Sequence, residues 1–206
     1  MRAVVLYGPP TAGKDTVTSA LTEADSRFRL VTKLKQGSGR SAGYRCVTTH
    51  ELDAFRDQGR LVVETHRYGN IYAVDRHDLE ELHSHGLIPV VHIGNVTDLR
   101  RLLADASADW LRVLLWVPRA VCQERSRLRG DADTFARLTA WDETAADLLG
   151  SDLEDLFNLA VRTDKLSVGS AAEAITASLG APGLTRNRDE LLATLDLVRA
   201  KGERRG

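Results

Sequence analysis

The chain opens on an unbroken apolar run, Ala3 to Tyr7, that stops at Gly8-Pro9-Pro10. A short, valine-rich run of this kind is the pattern of a strand covered on both faces. From Lys14 to Ala24 the apolar positions Val17, Ala20 and Leu21 recur at helical spacing, so the predicted opening unit is strand, glycine loop, helix. Further buried strands are predicted at Leu30 to Thr32, Leu61 to Glu64, Pro89 to Ile93, Leu111 to Val117 and Leu159 to Val161. Between them the spacing predicts helices at Thr49 to Gln58, Asp75 to His85, Val96 to Asp105, Arg119 to Arg129, Thr134 to Leu149 and Ser170 to Leu179. This alternation predicts an α/β fold with a mainly parallel sheet and helices on both faces.

Two breaks interrupt the pattern. Gln36 to Gly43 is rich in glycine and serine and reads as a mobile loop. Gly180-Ala-Pro-Gly183 separates a last helix, about Arg186 to Ala200, whose Leu191, Leu192, Leu195 and Val198 form one apolar stripe, from the rest. A length of 206 residues suits one compact domain with such an appendage better than two full domains.

Composition narrows the class further. With 43% hydrophobic and 28% charged residues the chain has the make-up of a soluble globular protein, which excludes disorder for its bulk. A net charge of -1 gives no global reason to expect nucleic acid or an anionic membrane as partner. Cys46 and Cys122 supply neither a disulfide framework nor a zinc pattern, the N-terminus lacks a signal-peptide core, and Val113 to Pro118 is too short to cross a bilayer. These features predict a cytoplasmic protein. Trp110, Trp116 and Trp141 read as core, and His83 and His85, two apart on a helix, share no face for a metal. Arginine outnumbers lysine so heavily that the five lysines, Lys14, Lys33, Lys35, Lys165 and Lys201, stand out.

The opening loop carries the most specific chemistry. Gly8-Pro9-Pro10-Thr11-Ala12-Gly13-Lys14 fits the frame G-x-x-x-x-G-K between a buried strand and a helix start. Glycines let the backbone curl so that successive N–H groups point at phosphate oxygens, and the helix N-terminus favours the same anion. Lys14 supplies a charge for the terminal phosphates. Asp15 stands where such loops carry Ser or Thr, and the hydroxyl comes one residue later, which makes Thr16 the first candidate to hold Mg²⁺ and Asp15 the second.

Four stretches in order make the chain resemble a nucleoside monophosphate kinase of the guanylate kinase type over roughly Arg2 to Leu179. The first is the loop. The second is Gly59 to Glu64 with Gly69-Asn70-Ile71-Tyr72, similar to the family's F-I-E-W and G-N-Y-Y-G. The third runs from Arg127-Leu-Arg129-Gly130 to Arg137-Leu138, and the fourth is Phe157 to Asp164, similar to a late strand ending in N-D. The resemblance implies a P-loop NTPase fold over residues 1–180, with an acceptor-binding subdomain at about 33–74 and a lid at about 125–142, followed by a C-terminal helix and basic tail at 184–206.

It also implies ATP and Mg²⁺ as cofactors and a small nucleotide-like acceptor. Tyr44 and Tyr72 fall on the family's phosphate-gripping tyrosines, with Lys35 or Arg40 in place of its arginines. Arg137, Arg129 and Arg125 would close on the transferring phosphate beside Lys14, and Thr163-Asp164 would lie near the adenine. Of the three guanine-reading positions, Glu64 matches, whereas Val74 and His92 replace a hydroxyl and a carboxylate. A nucleoside monophosphate, a phosphorylated sugar as in the related ribose 1,5-bisphosphate phosphokinases, and a nucleoside-like natural product all remain open as acceptor. The altered pocket keeps a second class open, a catalytically idle module that binds a partner protein.

Overall fold

The computed structural model describes residues 2–180 apart from 40, 68, 106–107, 131–132 and 152–155. The expected C-terminal helix and tail, and Arg40, lie outside the described residues.

A five-stranded parallel sheet is the centre of the molecule. Its strands are β1 (Arg2–Tyr7), β2 (Phe28–Leu30), β7 (Ile88–Ile93), β8 (Asp109–Trp116) and β9 (Leu159–Arg162), in the order β2-β7-β1-β8-β9. The central position of β1 follows from its sequence: Ala3 to Tyr7 are fully buried, and Val4 pairs with Val90 on one side and Leu111 on the other. Helices α1 (Lys14–Ala24) and α7 (Val168–Leu179) pack against each other, and α5 (Arg119–Leu128) pairs with α6 (Thr134–Leu149). Each presents apolar side chains to the one large core, Val17 and Leu21 from α1, Cys122 from α5, Trp141 and Leu148 from α6, and Ile175 from α7. Trp110, Trp116 and Trp141 are buried as expected, and the indole N–H of Trp141 donates to the Val117 carbonyl at 2.9 Å.

Residues 33–75 build a second sheet from β3 (Lys33–Gln36), β4 (Tyr44–Cys46), β5 (Leu61–Arg67) and β6 (Asn70–Asp75), ordered β4-β3-β6-β5. Its own core is small: Leu34 and Ala73 meet Leu52 of α2 (Thr49–Asp57). Thr48 and Glu51 start α2 with a reciprocal capping box. The strand expected at Leu30 to Thr32 is in fact the junction between β2 and β3, which belong to different sheets. β6 leads into α3 (Arg76–Ser84) through Asp75, and α4 (Val96–Ala104) begins where β7 ends. Among the described residues no helix is long and apolar enough to cross a membrane.

Candidate active site

The chemistry gathers at the C-terminal edge of the parallel sheet, where β1 lies between β7 and β8 and the strand order reverses. Crevices at such switch points are where open α/β sheets bind ligands. The loop after β1 makes its turn by two backbone devices. Gly8 passes so close to β8 that an added Cβ would stand 2.3 Å from the Leu115 carbonyl oxygen, and Gly13 enters α1 at φ 88°. Thr11, though not glycine, holds φ 60°. A threonine in this region costs about 1–2 kcal/mol and persists only where its surroundings impose it.

Arg125 does the imposing. Its guanidinium donates to the Thr11 carbonyl at 3.0 Å, to Thr163 Oγ1 at 3.1 Å and to the Thr163 carbonyl at 2.6 Å. Thr163 Oγ1 in turn donates to the Ala12 carbonyl at 2.9 Å. The buried Cys122 thiol, one turn before Arg125 on α5, lies 3.5 Å from the Pro10 carbonyl. The loop is thus braced from β9 and α5 at once. No side chain caps α1, so its first-turn N–H groups are left to the loop's concavity.

The loop is the shared wall of two cavities. One, of about 330 Å³, is lined by Gly8, Pro10, Lys14 and Asp15 together with Lys33, Tyr44, Thr65, Arg67, Tyr72, His92, Asn95 and Asp98. The other, of about 220 Å³, is lined by Gly13, Thr16 and Val17, by Arg125, Arg129 and Thr163, and by Leu166 to Val168 with Ala171. The first is polar and carries opposite charges; the second has small apolar walls with two guanidinium groups.

In the first cavity three cations converge. The Lys14 ammonium donates to the Gly8 and Pro9 carbonyls at 2.6 and 2.9 Å, and Lys33 donates to the His92 carbonyl at 2.6 Å. Burial pulls Lys14 down to about 8, helped by the charges of Lys33 and Arg67 and opposed by Asp15. Burial also pulls Lys33 down to about 8, against the pull of Asp98. His92 is pushed down to about 3 by burial and then by Lys14 and Lys33, so its ring is neutral at physiological pH. Asp98 is buried at the start of α4, where it accepts from Thr65 Oγ1 and from Asn95 Nδ2. Arg67 reaches from β5 to Glu143 of α6 at 3.4 Å, joining the second sheet to the helical layer.

These lysines have a pH consequence. A polyphosphate bound beside them favours their charged forms and lifts their pKa values. Near pH 8.5 both are partly neutral, so nucleotide binding is expected to take up protons, and affinity is expected to fall as pH rises from about 7 to 9. Calorimetry in buffers of different ionisation enthalpy measures this directly; an affinity flat over that range and no proton uptake would contradict it.

The expected site residues divide in an informative way. Gly8, Pro10, Lys14, Asp15, Tyr44, Tyr72 and His92 come together around the first cavity, Gly13, Arg125, Arg129 and Thr163 around the second, and Pro9, Thr11 and Ala12 complete the loop without lining either. Thr16, expected at the metal, lines the second cavity, while Asp15 lines the first with a side chain 90% exposed. Adjacent positions on a helix point about 100° apart, which separates the two. Asp15 is therefore the better-placed oxygen donor, and a hard carboxylate with free access beside a phosphate loop suits Mg²⁺, which keeps several of its waters.

Arg137 rides on α6 and lines neither cavity. Lys35 is buried behind the tyrosines, its ammonium donating to the Ser38 carbonyl at 2.6 Å and lying 5.9 and 6.0 Å from the Tyr44 and Tyr72 ring centres. Asp164 is tied to Arg162 by two bonds of 2.7 and 2.8 Å.

Glu64, expected to read the acceptor's base, faces away from the first cavity. Successive side chains of a strand alternate, and on β5 it is Thr65 and Arg67 that point in. Glu64 instead binds Arg56 and His66 at 3.0 and 2.8 Å. Val74 is fully buried and adds no polar group. Sequence reasoning missed Lys33, Thr65, Arg67 and Asp98 as cavity residues. The rarity of lysine singled out Lys33; nothing in the sequence distinguished the other three from surface residues.

No family model matches the sequence, and no match was found among curated proteins. Among solved structures the chain is similar to the guanylate kinase of Anaplasma phagocytophilum. The TM-score is 0.61 at 17% identity, over 87% of this chain and 84% of that one. This likeness, with the parallel sheet and the glycine loop after β1, shows the P-loop NTPase fold.

Proposed function

We propose that the protein is an ATP-dependent phosphotransferase that moves the γ-phosphate to a nucleoside monophosphate or a related phosphorylated sugar or nucleoside. One observation carries this reading: a single phosphate loop separates two cavities, so a nucleotide seated in one presents its terminal phosphate to a molecule seated in the other. The adenine takes the smaller cavity between Arg125, Arg129 and Val168; the acceptor takes the larger one, facing Tyr44, Tyr72, Lys33 and Arg67. Positioning supplies most of the rate in such a transfer, and the converging cations stabilise charge as it develops on the phosphoryl oxygens. Mg²⁺ held by Asp15 and the phosphates neutralises charge on the nucleotide when bound. The exposed thiol of Cys46 fits work in a reducing cytosol.

The same cations argue against an idle protein-binding module. Desolvation disfavours the charged forms of both Lys14 and Lys33, and at Lys14 the charges of Lys33 and Arg67 add to it. A chain that met no anion there would have no use for two desolvated ammonium groups facing one cavity.

With Glu64 turned away, Val74 buried and His92 in place of a carboxylate, the cavity holds none of the guanine-reading groups. Each of the three hydrogen-bonding groups lost removes roughly 1–2 kcal/mol of discrimination, so GMP is not expected to be the preferred acceptor. The test is ADP release from ATP and Mg²⁺ with mononucleotides, pentose phosphates and nucleosides offered one at a time. Turnover is expected only with an acceptor present and best with a phosphorylated one other than GMP. If none stimulates turnover and Lys14→Ala changes nothing measurable, the module reading replaces this one.

A further inference from the structure

Asp15 and His92 replace an expected hydroxyl and an expected carboxylate, and the fold brings them face to face. The Nδ1 atom of His92 lies 3.7 Å from Asp15 Oδ1, on the wall of the larger cavity. Which ring nitrogen bears the proton follows from the hydrogen bonds. Thr18 Oγ1 lies 2.8 Å from the Lys14 carbonyl oxygen, an approach that two acceptors tolerate only with the hydroxyl proton between them. That proton is spent, so at the 2.8 Å contact between Thr18 Oγ1 and His92 Nε2 the ring must donate. Neutral His92 therefore carries its lone pair on Nδ1, which faces another lone-pair bearer, the carboxylate of Asp15. At 3.7 Å the two form no hydrogen bond with each other, and among the described residues neither Nδ1 nor that carboxylate has another hydrogen-bond partner.

We propose that Asp15 Oδ1 and His92 Nδ1 together ligate the divalent ion carried by the nucleotide, forming a mixed oxygen–nitrogen site that favours Mn²⁺ over Mg²⁺. The proposal rests on the reading of the cavity as the site of phosphoryl transfer. Two donors of one ion stand roughly 3–4 Å apart at bond lengths near 2.1 Å, so the separation found needs only a small movement of the exposed Asp15 side chain. A histidine that binds metal through one nitrogen is usually oriented by a hydrogen bond from the other. Thr18 Oγ1 accepts that bond here, itself held by the α1 backbone, and Lys33 fixes the His92 main chain by donating to its carbonyl.

An all-oxygen site suits Mg²⁺, whereas imidazole nitrogen raises affinity for first-row transition ions. The ammonium groups of Lys14 and Lys33 repel a bare cation. The ion is therefore expected to bind tightly only together with the anionic nucleotide.

The experiment uses the full chain with Mn²⁺ and a β,γ-methylene analogue of ATP, read by pulsed electron paramagnetic resonance. A second preparation contains histidine labelled with ¹⁵N. The expected result is the coupling of a directly bound imidazole nitrogen that changes isotope with the label and disappears in His92→Asn. The Mn²⁺ dissociation constant is expected to rise about tenfold in that variant, with a smaller rise for Mg²⁺. The wild-type spectrum decides the matter even if His92→Asn folds poorly. Bound nucleotide and Mn²⁺ without a histidine nitrogen overturn the inference and leave the phosphotransferase reading standing; calorimetry that finds no nucleotide bound removes both.

Discussion

Replacing Lys14 with alanine is expected to lower phosphoryl transfer by about 10³-fold, the scale on which preorganised charge at a transferring phosphate acts. The Lys14 ammonium donates to the Gly8 and Pro9 carbonyls, inside the loop that would hold the β- and γ-phosphates. Those carbonyls are weaker partners than phosphate oxygens, so little holds the ammonium back when a nucleotide arrives. The same substitution should leave stability within ~1 kcal/mol, because the two lost hydrogen bonds are offset by relief of a desolvated charge facing Lys33 and Arg67. ADP-release assays and thermal denaturation on one preparation separate the two effects. A variant that keeps more than about a tenth of wild-type turnover would remove the loop from the chemistry.

The largest stability effect is expected at Asp75, far from the phosphates. Its carboxylate is fully buried between β6 and α3. There it accepts from Arg60, from Arg45 at 2.7 Å and from the His77 backbone at 3.0 Å, capping α3. Asp75→Ala leaves two guanidinium groups without their shared partner and the helix without its cap. Breaking a buried pair costs about 3–5 kcal/mol, and because both arginines keep contact with solvent the lower half of that range is expected here.

Burial alone would raise the Asp75 pKa, but the bonds from Arg60, His77 and Arg45 outweigh it and hold the carboxyl below its ordinary 3.8. A carboxyl lowered by folding stabilises the native state above its unfolded pKa, and that contribution disappears as pH falls through the folded value. The wild type should therefore lose part of its stability below about pH 4, and Asp75→Ala should lack that part of the acid limb. Urea titrations at several pH values check both statements; equal acid limbs would show that Asp75 does not titrate with folding.

Much of the fold could be read along the chain because its central strands carry one local signature. β1 is a nearly continuous apolar run and β7 and β8 are mostly apolar, broken only by His92, Asp109 and Arg112, as suits strands covered on both faces, and α1, α4 and α6 repeat their apolar positions at helical spacing. The second sheet was harder. β4 is exposed along its whole length, β3 reads Lys-Leu-Lys-Gln with one apolar residue, and β6 becomes a strand by pairing with β3 and β5. Nothing local in β3 and β4 distinguishes them from loop, whereas β6 carries the short apolar run Ile71 to Val74.

The candidate site divides along the same line. A glycine-bordered turn with a lysine, set between a buried strand and a helix, is a local device, and its residues alone carry the expectation of a phosphate cradle. Tertiary structure decided which side chains face that loop. On β5 polar residues occupy both faces, so only packing against α4 turned Thr65 and Arg67 inward and Glu64 outward. On α1 only the position of β7 gave Asp15 its histidine and left Thr16 to the other cavity. Local order is written in neighbouring residues, whereas the choice of face is made by segments dozens of positions away, whose contacts exist only once the chain has folded.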